Sequence, residues 1–68
     1  GNVHAPRPDR VMMRGDEAIV VDYKFGLQRP DYHEQVRHYC LLLQQMGKQN
    51  VKGYLWYVAS GIVEPVSL

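Results

Sequence analysis

The sequence is poor in cysteine, with Cys40 as the single thiol among its 68 residues. One thiol excludes an intramolecular disulfide, and it excludes the cysteine-rich zinc sites of zinc fingers. No apolar run approaches the roughly 20 residues that cross a bilayer, and no secretory signal is present. We therefore predict a domain of the cytoplasm, where thiols stay reduced, and no membrane partner.

An excess of charge is also missing, since eight Lys and Arg residues oppose seven Asp and Glu residues for a net charge of +1. This balance does not by itself indicate a nucleic-acid partner, because dedicated nucleic-acid binders are often far more basic. Apolar residues make up 46% of the chain, which is typical of a folded core. A chain of this length forms at most one small domain and buries only about 60% of its unfolded surface.

The first half of the sequence predicts a β-hairpin after an extended lead-in over residues 1–8. Residues 9–14 read as one strand and residues 18–24 as the return strand. Gly15-Asp16 between them has glycine first, which is typical of a type II′ turn. The return strand is rich in β-branched residues, and its near-continuous apolar run predicts burial on both faces.

A helix is predicted from Tyr32 to about Met46. Asp31 before it is a favourable N-cap, with Glu34 three residues later as in a capping box. Gly47 is the expected residue just past the C-terminal end. The stripe expected to be buried follows helical spacing and consists of Tyr32, Val36, Tyr39, Cys40, Leu43 and Met46.

Two further strands are predicted, over residues 52–59 and 62–66, with a tight turn at Ser60-Gly61. Pro65 places the last strand at a sheet edge, since proline cannot donate to a ladder. The order β-β-α-β-β predicts an α+β fold with a mixed sheet covered by one helix. Nothing else in the sequence covers the second sheet face. This face and the missing initiator methionine lead us to expect a piece of a longer chain that self-associates.

The predicted hairpin brings charged residues together. Counting outward from the two-residue turn pairs Arg14 with Glu17 and places Asp9 directly opposite Asp22. Opposed side chains have Cβ atoms about 4.5–5.5 Å apart, and Lys24 lies on the same face as Asp22 because side chains alternate along a strand. A three-residue turn instead would shift the pairing by one residue.

Two opposed carboxylates are destabilising unless something compensates their charge, and a divalent cation does so well. A metal at this point can polarise a phosphodiester and lower the pKa of a bound water, with Lys24 stabilising the developing negative charge. The alternative is that Asp9 only caps its strand, and that Asp22 pairs with Arg10 or Lys24 in solvent. The Ala-Ile-Val-Val run before Asp22 disfavours this alternative, because buried charges need a partner or a metal.

Three short motifs follow one another along the predicted hairpin and helix: Pro8-Asp9, Asp22-Tyr23-Lys24 and, eleven residues after Lys24, Gln35-Val36-Arg37-His38-Tyr39. The first two resemble the signature of PD-(D/E)XK nucleases, whose fold is restriction-endonuclease-like. The third is similar to the Q-x-x-x-Y motif of the RecB/AddA branch, which supplies the C-terminal nuclease domains of UvrD/RecB-like helicase–nucleases. The resemblance spans residues 7–66.

The resemblance implies a metal site for Mg²⁺ or Mn²⁺. Asp9 and Asp22 would be metal ligands, and the backbone carbonyl of Tyr23 a further ligand. Lys24 would be the catalytic lysine. Domains of this family usually begin with a helix and a strand that have no counterpart here, so the expected piece covers only part of a nuclease domain. His4 in the lead-in matches no helical motif and receives no role.

Gln35 and Tyr39 are one helical turn apart and can face the same side. The resemblance implies that they support the metal site and contact DNA. Spacing alone favours a surface glutamine and a core tyrosine instead, and the two acids of the hairpin shift the balance to the role at the site. His33 and His38 are about 140° apart around the helix and cannot share a metal. We expect both on the surface, and Cys40 buried and inert.

The sequence therefore predicts a metal-dependent exodeoxyribonuclease core of a RecB-like helicase–nuclease in DNA repair or recombination. DNA is the expected partner, together with an attached or associated helicase domain. Two alternatives remain open at this point. One is a nuclease-like module that has lost catalysis and binds DNA or a protein, and the other is a purely structural α+β module with solvated acids.

Overall fold

The computed structural model describes residues 8–68, so His4 and the predicted lead-in up to Arg7 lie outside the described residues. The elements are β1 (Arg10–Arg14), β2 (Glu17–Lys24), α1 (Pro30–Gln45), β3 (Asn50–Tyr57) and β4 (Ile62–Val66). The four strands form a single sheet in the order β1-β2-β3-β4. The outer pairs are antiparallel and the central pair β2–β3 is parallel. The predicted mixed sheet, α+β fold and element order are confirmed.

The β1–β2 hairpin has the predicted register. Arg14 pairs with Glu17 and, at the far end, Arg10 pairs with Val21. Gly15 has φ 61°, whereas Asp16 keeps a negative φ. A positive φ at the first central position alone is the requirement of a type II′ turn. The local turn chemistry therefore sets the pairing of the whole hairpin.

The start of α1 differs from the prediction. Arg29 is the N-cap residue and Pro30 the first helical residue, with no side-chain capping bond. The predicted Asp31 N-cap and its capping box with Glu34 are therefore wrong. Proline at the first helical position has its φ already set and lacks an N–H that would need a partner. Asp31 instead forms an ion pair with Arg29, with 3.2 Å between Oδ1 and Nε.

The C-terminal end of α1 matches the prediction at Gly47, which has φ 102°. The Gly47 N–H donates to the Gln44 carbonyl at 3.0 Å and the Lys48 N–H to the Leu43 carbonyl at 3.1 Å. These two bonds form a Schellman motif, which satisfies carbonyls at the helix end. Met46 is 75% exposed at the C-cap, so its predicted place in the buried stripe is wrong.

One face of the sheet packs against α1 and forms the core. Its buried apolar residues are Ala18, Val20, Val36, Cys40, Leu43, Val51, Leu55, Tyr57 and Val66, with Val11, Tyr32 and Tyr39 packed against them. Gly53 lies under the helix, where an added Cβ would come within 2.7 Å of Val36 Cγ1 and 2.9 Å of Cys40 Sγ. The absence of a side chain at Gly53 therefore lets α1 approach β3 closely.

The second sheet face is covered by no element within residues 8–68, as the sequence predicted. In β2, exposure alternates: Ala18 and Val20 are buried, whereas Ile19 is 36% exposed on the other face. The prediction that β2 is buried on both faces is therefore wrong. This apolar outer face continues onto Trp56, which is 43% exposed.

The last two strands are close to their predicted positions. β3 begins and ends two residues earlier than predicted, because all eight residues of β2 pair in parallel with Asn50–Tyr57. β4 has the predicted bounds and pairs with β3 at the sheet edge, where Pro65 is tolerated. In the described part of the chain, α1 is the one helix, and it does not meet the length and hydrophobicity of a membrane span.

Candidate active site

Two carboxyl groups meet where β1 begins and β2 ends. Extending the observed register by one residue beyond the Arg10–Val21 pair places Asp9 opposite Asp22. The alternation of the ladder makes this a non-hydrogen-bonded position, where opposed side chains come closest. Asp9 Oδ2 also accepts a hydrogen bond from the Tyr23 N–H at 2.8 Å. Asp9 is exposed and Asp22 is only 7% exposed, so one carboxyl faces solvent and the other the core.

The two carboxyl groups have opposite electrostatic responses to this arrangement. Burial, followed by the hydrogen bond with Asp9, raises the pKa of Asp22. The hydrogen bond with Asp22 and the donated Tyr23 N–H lower the pKa of Asp9. As the pH rises, Asp9 therefore loses its proton before Asp22 does.

Lys24 supplies the nearest positive charge. Its Nζ lies 3.0 Å from Asp22 Oδ2 and 4.4 Å from the centroid of the Tyr32 ring. The lysine lies on the same sheet face as Asp22 because the two are separated by one residue of β2. A single ammonium faces two carboxyl groups, so the cluster retains an excess of negative charge when both are ionised.

The Tyr23 backbone carbonyl points to the same edge. In a strand, the N–H and C=O of one residue point to the same side and alternate between residues. The Tyr23 N–H points toward Asp9, whereas the Lys24 carbonyl accepts from the Val58 N–H on the β3 side. The Tyr23 carbonyl is thus directed toward β1, where the register places Pro8, which has no N–H to donate. Pro8 therefore cannot donate a backbone hydrogen bond to this oxygen.

Gln35 and Tyr39 lie on α1 and face this edge. Both are half-buried, and they line a small cleft of about 10 Å³ together with Pro8, Asp22 and Val36. The helical spacing of the third motif therefore brings its glutamine and tyrosine to the buried carboxyl group. Their predicted support of the metal site and contact with DNA stay predictions.

The oxygen groups at this edge fit a hard divalent cation. Within residues 8–68 no three His, Cys, Asp or Glu side chains form a metal cluster. The protein would offer two carboxylates and the Tyr23 carbonyl. Mg²⁺ is commonly held by one or two carboxylates while it keeps several waters. A cation there would relieve the repulsion between the Asp9 and Asp22 carboxylates, so the donor set suits Mg²⁺ or Mn²⁺.

Sequence reasoning missed a second charged cluster, between α1 and β4. Expected on the surface, His33 is instead half-buried, with its Nε2 2.9 Å from Glu64 Oε1, and the Gln28 side-chain amide donates to the other carboxylate oxygen. His33 and Gln28 lower the pKa of Glu64. No local pattern could reveal this cluster, since its partners are about thirty residues apart. The other surface and core predictions hold, because His38 is exposed and Cys40 is buried.

The sequence profile of the PD-(D/E)XK nuclease superfamily matches residues 6–66 of the chain. No curated protein and no solved structure matches it significantly. The match contains all the residues that meet at the candidate site, and it covers nearly the whole chain. The chain therefore belongs to the PD-(D/E)XK nuclease superfamily.

Proposed function

We propose that this domain hydrolyses DNA phosphodiesters in a metal-dependent reaction. The observation that carries the proposal is the buried Asp22 pressed against Asp9, with Lys24 Nζ 3.0 Å away. Strained carboxyl pairs with altered pKa values are typical of functional sites. A purely structural acid would be expected at the surface and away from other carboxyl groups, whereas Asp22 is 7% exposed and faces Asp9.

The residues divide the work of hydrolysis among them. Asp9, Asp22 and the Tyr23 carbonyl would hold Mg²⁺ or Mn²⁺. When bound, the ion would supply Lewis-acid polarisation of the phosphodiester and would lower the pKa of a coordinated water. Lys24 orients the attacking water and stabilises the negative charge that develops on the phosphate oxygens.

The finer assignment is an exodeoxyribonuclease of the RecB-like helicase–nuclease kind, acting in DNA repair or recombination. Its support is the third motif, whose Gln35 and Tyr39 line the cleft beside Asp22. We propose that these two side chains hold the site and contact the DNA strand. A helicase domain, attached or associated, would supply the unwound strand. The cytoplasmic location, indicated by the lone thiol, stays a prediction.

We also propose that the outer sheet face mediates self-association of this chain. Its apolar side chains include Met12, which is 40% exposed, and Val63, which is 51% exposed. Burying such a surface against a second copy removes apolar area from water, which stabilises association. Light scattering at increasing concentration tests this, and a monomer at high concentration contradicts it.

The decisive experiment is degradation of linear DNA with and without Mn²⁺, in the longest available form of the chain. Wild type is compared with Lys24→Ala and, as a matched control, with Lys52→Ala on the exposed side of β3. We expect Mn²⁺-dependent cleavage by wild type and Lys52→Ala. Lys24→Ala should lose about 10²–10³-fold in rate, as for removal of one preorganised charge-stabilising group.

Each other outcome selects one of the alternatives. DNA binding without metal dependence, and without cleavage by any variant, would assign the domain to the catalytically inactive binding modules. Calorimetry that detects no Mn²⁺ binding, together with no cleavage, would favour a structural module. Equal cleavage by wild type and Lys24→Ala would remove Lys24 from the mechanism.

A further inference from the structure

An aromatic ring lies against the ammonium group of Lys24. The Lys24 Nζ is 4.4 Å from the ring centroid of Tyr32 and 3.0 Å from Asp22 Oδ2. Only 22% of the lysine side chain is exposed. The ammonium is therefore held between a carboxyl group and a ring face. Cations are attracted to such faces within about 6 Å of the centroid, and more strongly where water is excluded.

The Tyr32 ring is itself fixed from behind. It packs against Tyr57, with 6.4 Å between ring centroids, and Tyr57 is 2% exposed. The next residue, His33, contacts Glu64 of β4 at 2.9 Å, which ties the first turn of α1 to the sheet edge. The ring therefore belongs to a supported surface and does not depend on a mobile side chain.

A lysine has a flexible four-carbon stem, so a defined ammonium position needs contacts that hold it. The Asp22 carboxylate offers one contact through its Oδ2 atom. In the proposed site, however, the same carboxylate would also bind the metal ion. A ring face attracts the ammonium without an acceptor lone pair of its own, and it leaves the N–H donors free for a phosphate. The ring contact is thus compatible with a working site in a way that the Asp22 ion pair is not.

We propose that Tyr32 is a positioning residue that holds the Lys24 ammonium beside the scissile phosphate. This inference rests on the proposed nuclease function. The contact is made by the ring, so the phenol hydroxyl is dispensable. Tyr32→Phe therefore keeps the position of Lys24, and Tyr32→Leu loses it.

The kinetic test compares Tyr32→Leu and Tyr32→Phe with Tyr54→Leu, which removes another partly buried tyrosine on the opposite sheet face. We expect Tyr32→Leu to lower kcat about 2- to 30-fold, the range that corresponds to a cation–π contact. KM should stay unchanged, because Lys24 acts in the transition state. Tyr32→Phe and Tyr54→Leu should keep the wild-type kcat. An equal loss in Tyr32→Phe, or no loss in Tyr32→Leu, overturns the proposal.

A second readout does not depend on cleavage. In the metal-free chain, the Lys24 Cε protons should show an upfield ring-current shift by nuclear magnetic resonance. The shift should persist in Tyr32→Phe and disappear in Tyr32→Leu, while backbone signals of β3 stay in place. Absence of the shift in wild type overturns the positioning proposal even if the chain cleaves DNA. If the shift is present but the chain cleaves no DNA, the contact between Tyr32 and Lys24 is supported and the proposed nuclease function is contradicted.

Discussion

Two acidic residues occupy the same row of the sheet but differ in the groups that face them and in the direction of their pKa shifts. Asp22 on β2 and Glu64 on β4 both pair with Leu55 of β3, so they lie two strand spacings, about 10 Å, apart. Glu64 is matched by His33 and by the Gln28 amide, which lower its pKa. Asp22 faces Asp9 as well as a lysine, and burial raises its pKa.

The contrast lies in the groups that face each acid: Glu64 meets His33 and an amide, whereas Asp22 meets a second carboxyl group. The Glu64 cluster ties the loop and first turn of α1 to β4, because the His33 ring and the Gln28 amide both contact the Glu64 carboxylate. The Asp22 cluster places two carboxyl groups together in a buried position, which costs stability. Such an arrangement is typical of sites whose chemistry requires strain. The fold thus places the stabilising Glu64 cluster and the unfavourable Asp9–Asp22 pair on one sheet face.

The largest effect should come from removing the charge of Asp22. Asp22→Asn should abolish Mn²⁺-dependent cleavage, a loss on the order of 10³-fold or more, because a metal contributes several kcal/mol to catalysis. Glu64→Gln should lose less than about threefold, since Glu64 lies outside the carboxyl pair. DNA degradation by both variants, with circular dichroism to verify folding, checks this. Wild-type cleavage by Asp22→Asn would sink the metal-ligand assignment.

A second substitution disturbs both clusters at once through α1. Gly53→Ala inserts a methyl group between β3 and α1. The added Cβ would lie 2.7 Å from Val36 Cγ1 and 2.9 Å from Cys40 Sγ. We expect it to destabilise the chain by about 1–3 kcal/mol, as overpacking does. Gly26→Ala is the matched control, because nothing lies within 4 Å of its added Cβ. Urea unfolding measures both, and equal stability of the two variants would contradict a tightly seated helix.

The two acids should respond with opposite signs to neutralisation in metal-free buffer near pH 7. Asp22→Asn relieves the opposed carboxyl charges and should raise the free energy of unfolding by up to about 1 kcal/mol. Glu64→Gln removes the carboxylate that His33 and Gln28 contact, and it should lower the free energy of unfolding. Thermal unfolding checks the signs. Added Mn²⁺ should stabilise wild type and leave Asp22→Asn unchanged, since only a bound ligand shifts the folding equilibrium.

The smallest expected effect is the acid response of the Glu64 cluster. The pKa of Glu64 in the folded chain lies below its unfolded value near 4.5. Its stabilisation is therefore present above that value and is lost as the pH falls through the folded pKa. Melting temperatures between about pH 6 and about pH 3 should fall less steeply for Glu64→Gln than for wild type. Parallel curves for wild type and Glu64→Gln would show that the contacts of Glu64 with His33 and Gln28 do not stabilise the chain in solution.

The geometry of the candidate site was predictable from the sequence where it depends on neighbouring elements. Asp9, Asp22 and Lys24 meet because a two-residue turn sets the register of one hairpin, and alternation then sets the face of each side chain. The same locality made Gly47 recognisable at the end of α1. The prediction of Asp31 as the N-cap was wrong for a local reason too. Pro30 is already the first helical residue, so Asp31 lies inside the first turn.

The remaining features depend on how distant elements pack. The parallel pairing of β2 with β3 decides where β3 begins, and it also places Glu64 in the row of Asp22. The contact of Tyr32 with Lys24 requires α1 to settle on the sheet at the depth that Gly53 permits. Turn geometry and side-chain alternation act over a few residues, so the sequence alone determined the hairpin and its carboxyl pair. Helix packing and strand crossover act over the whole chain, so only the tertiary structure decided which residues support that pair.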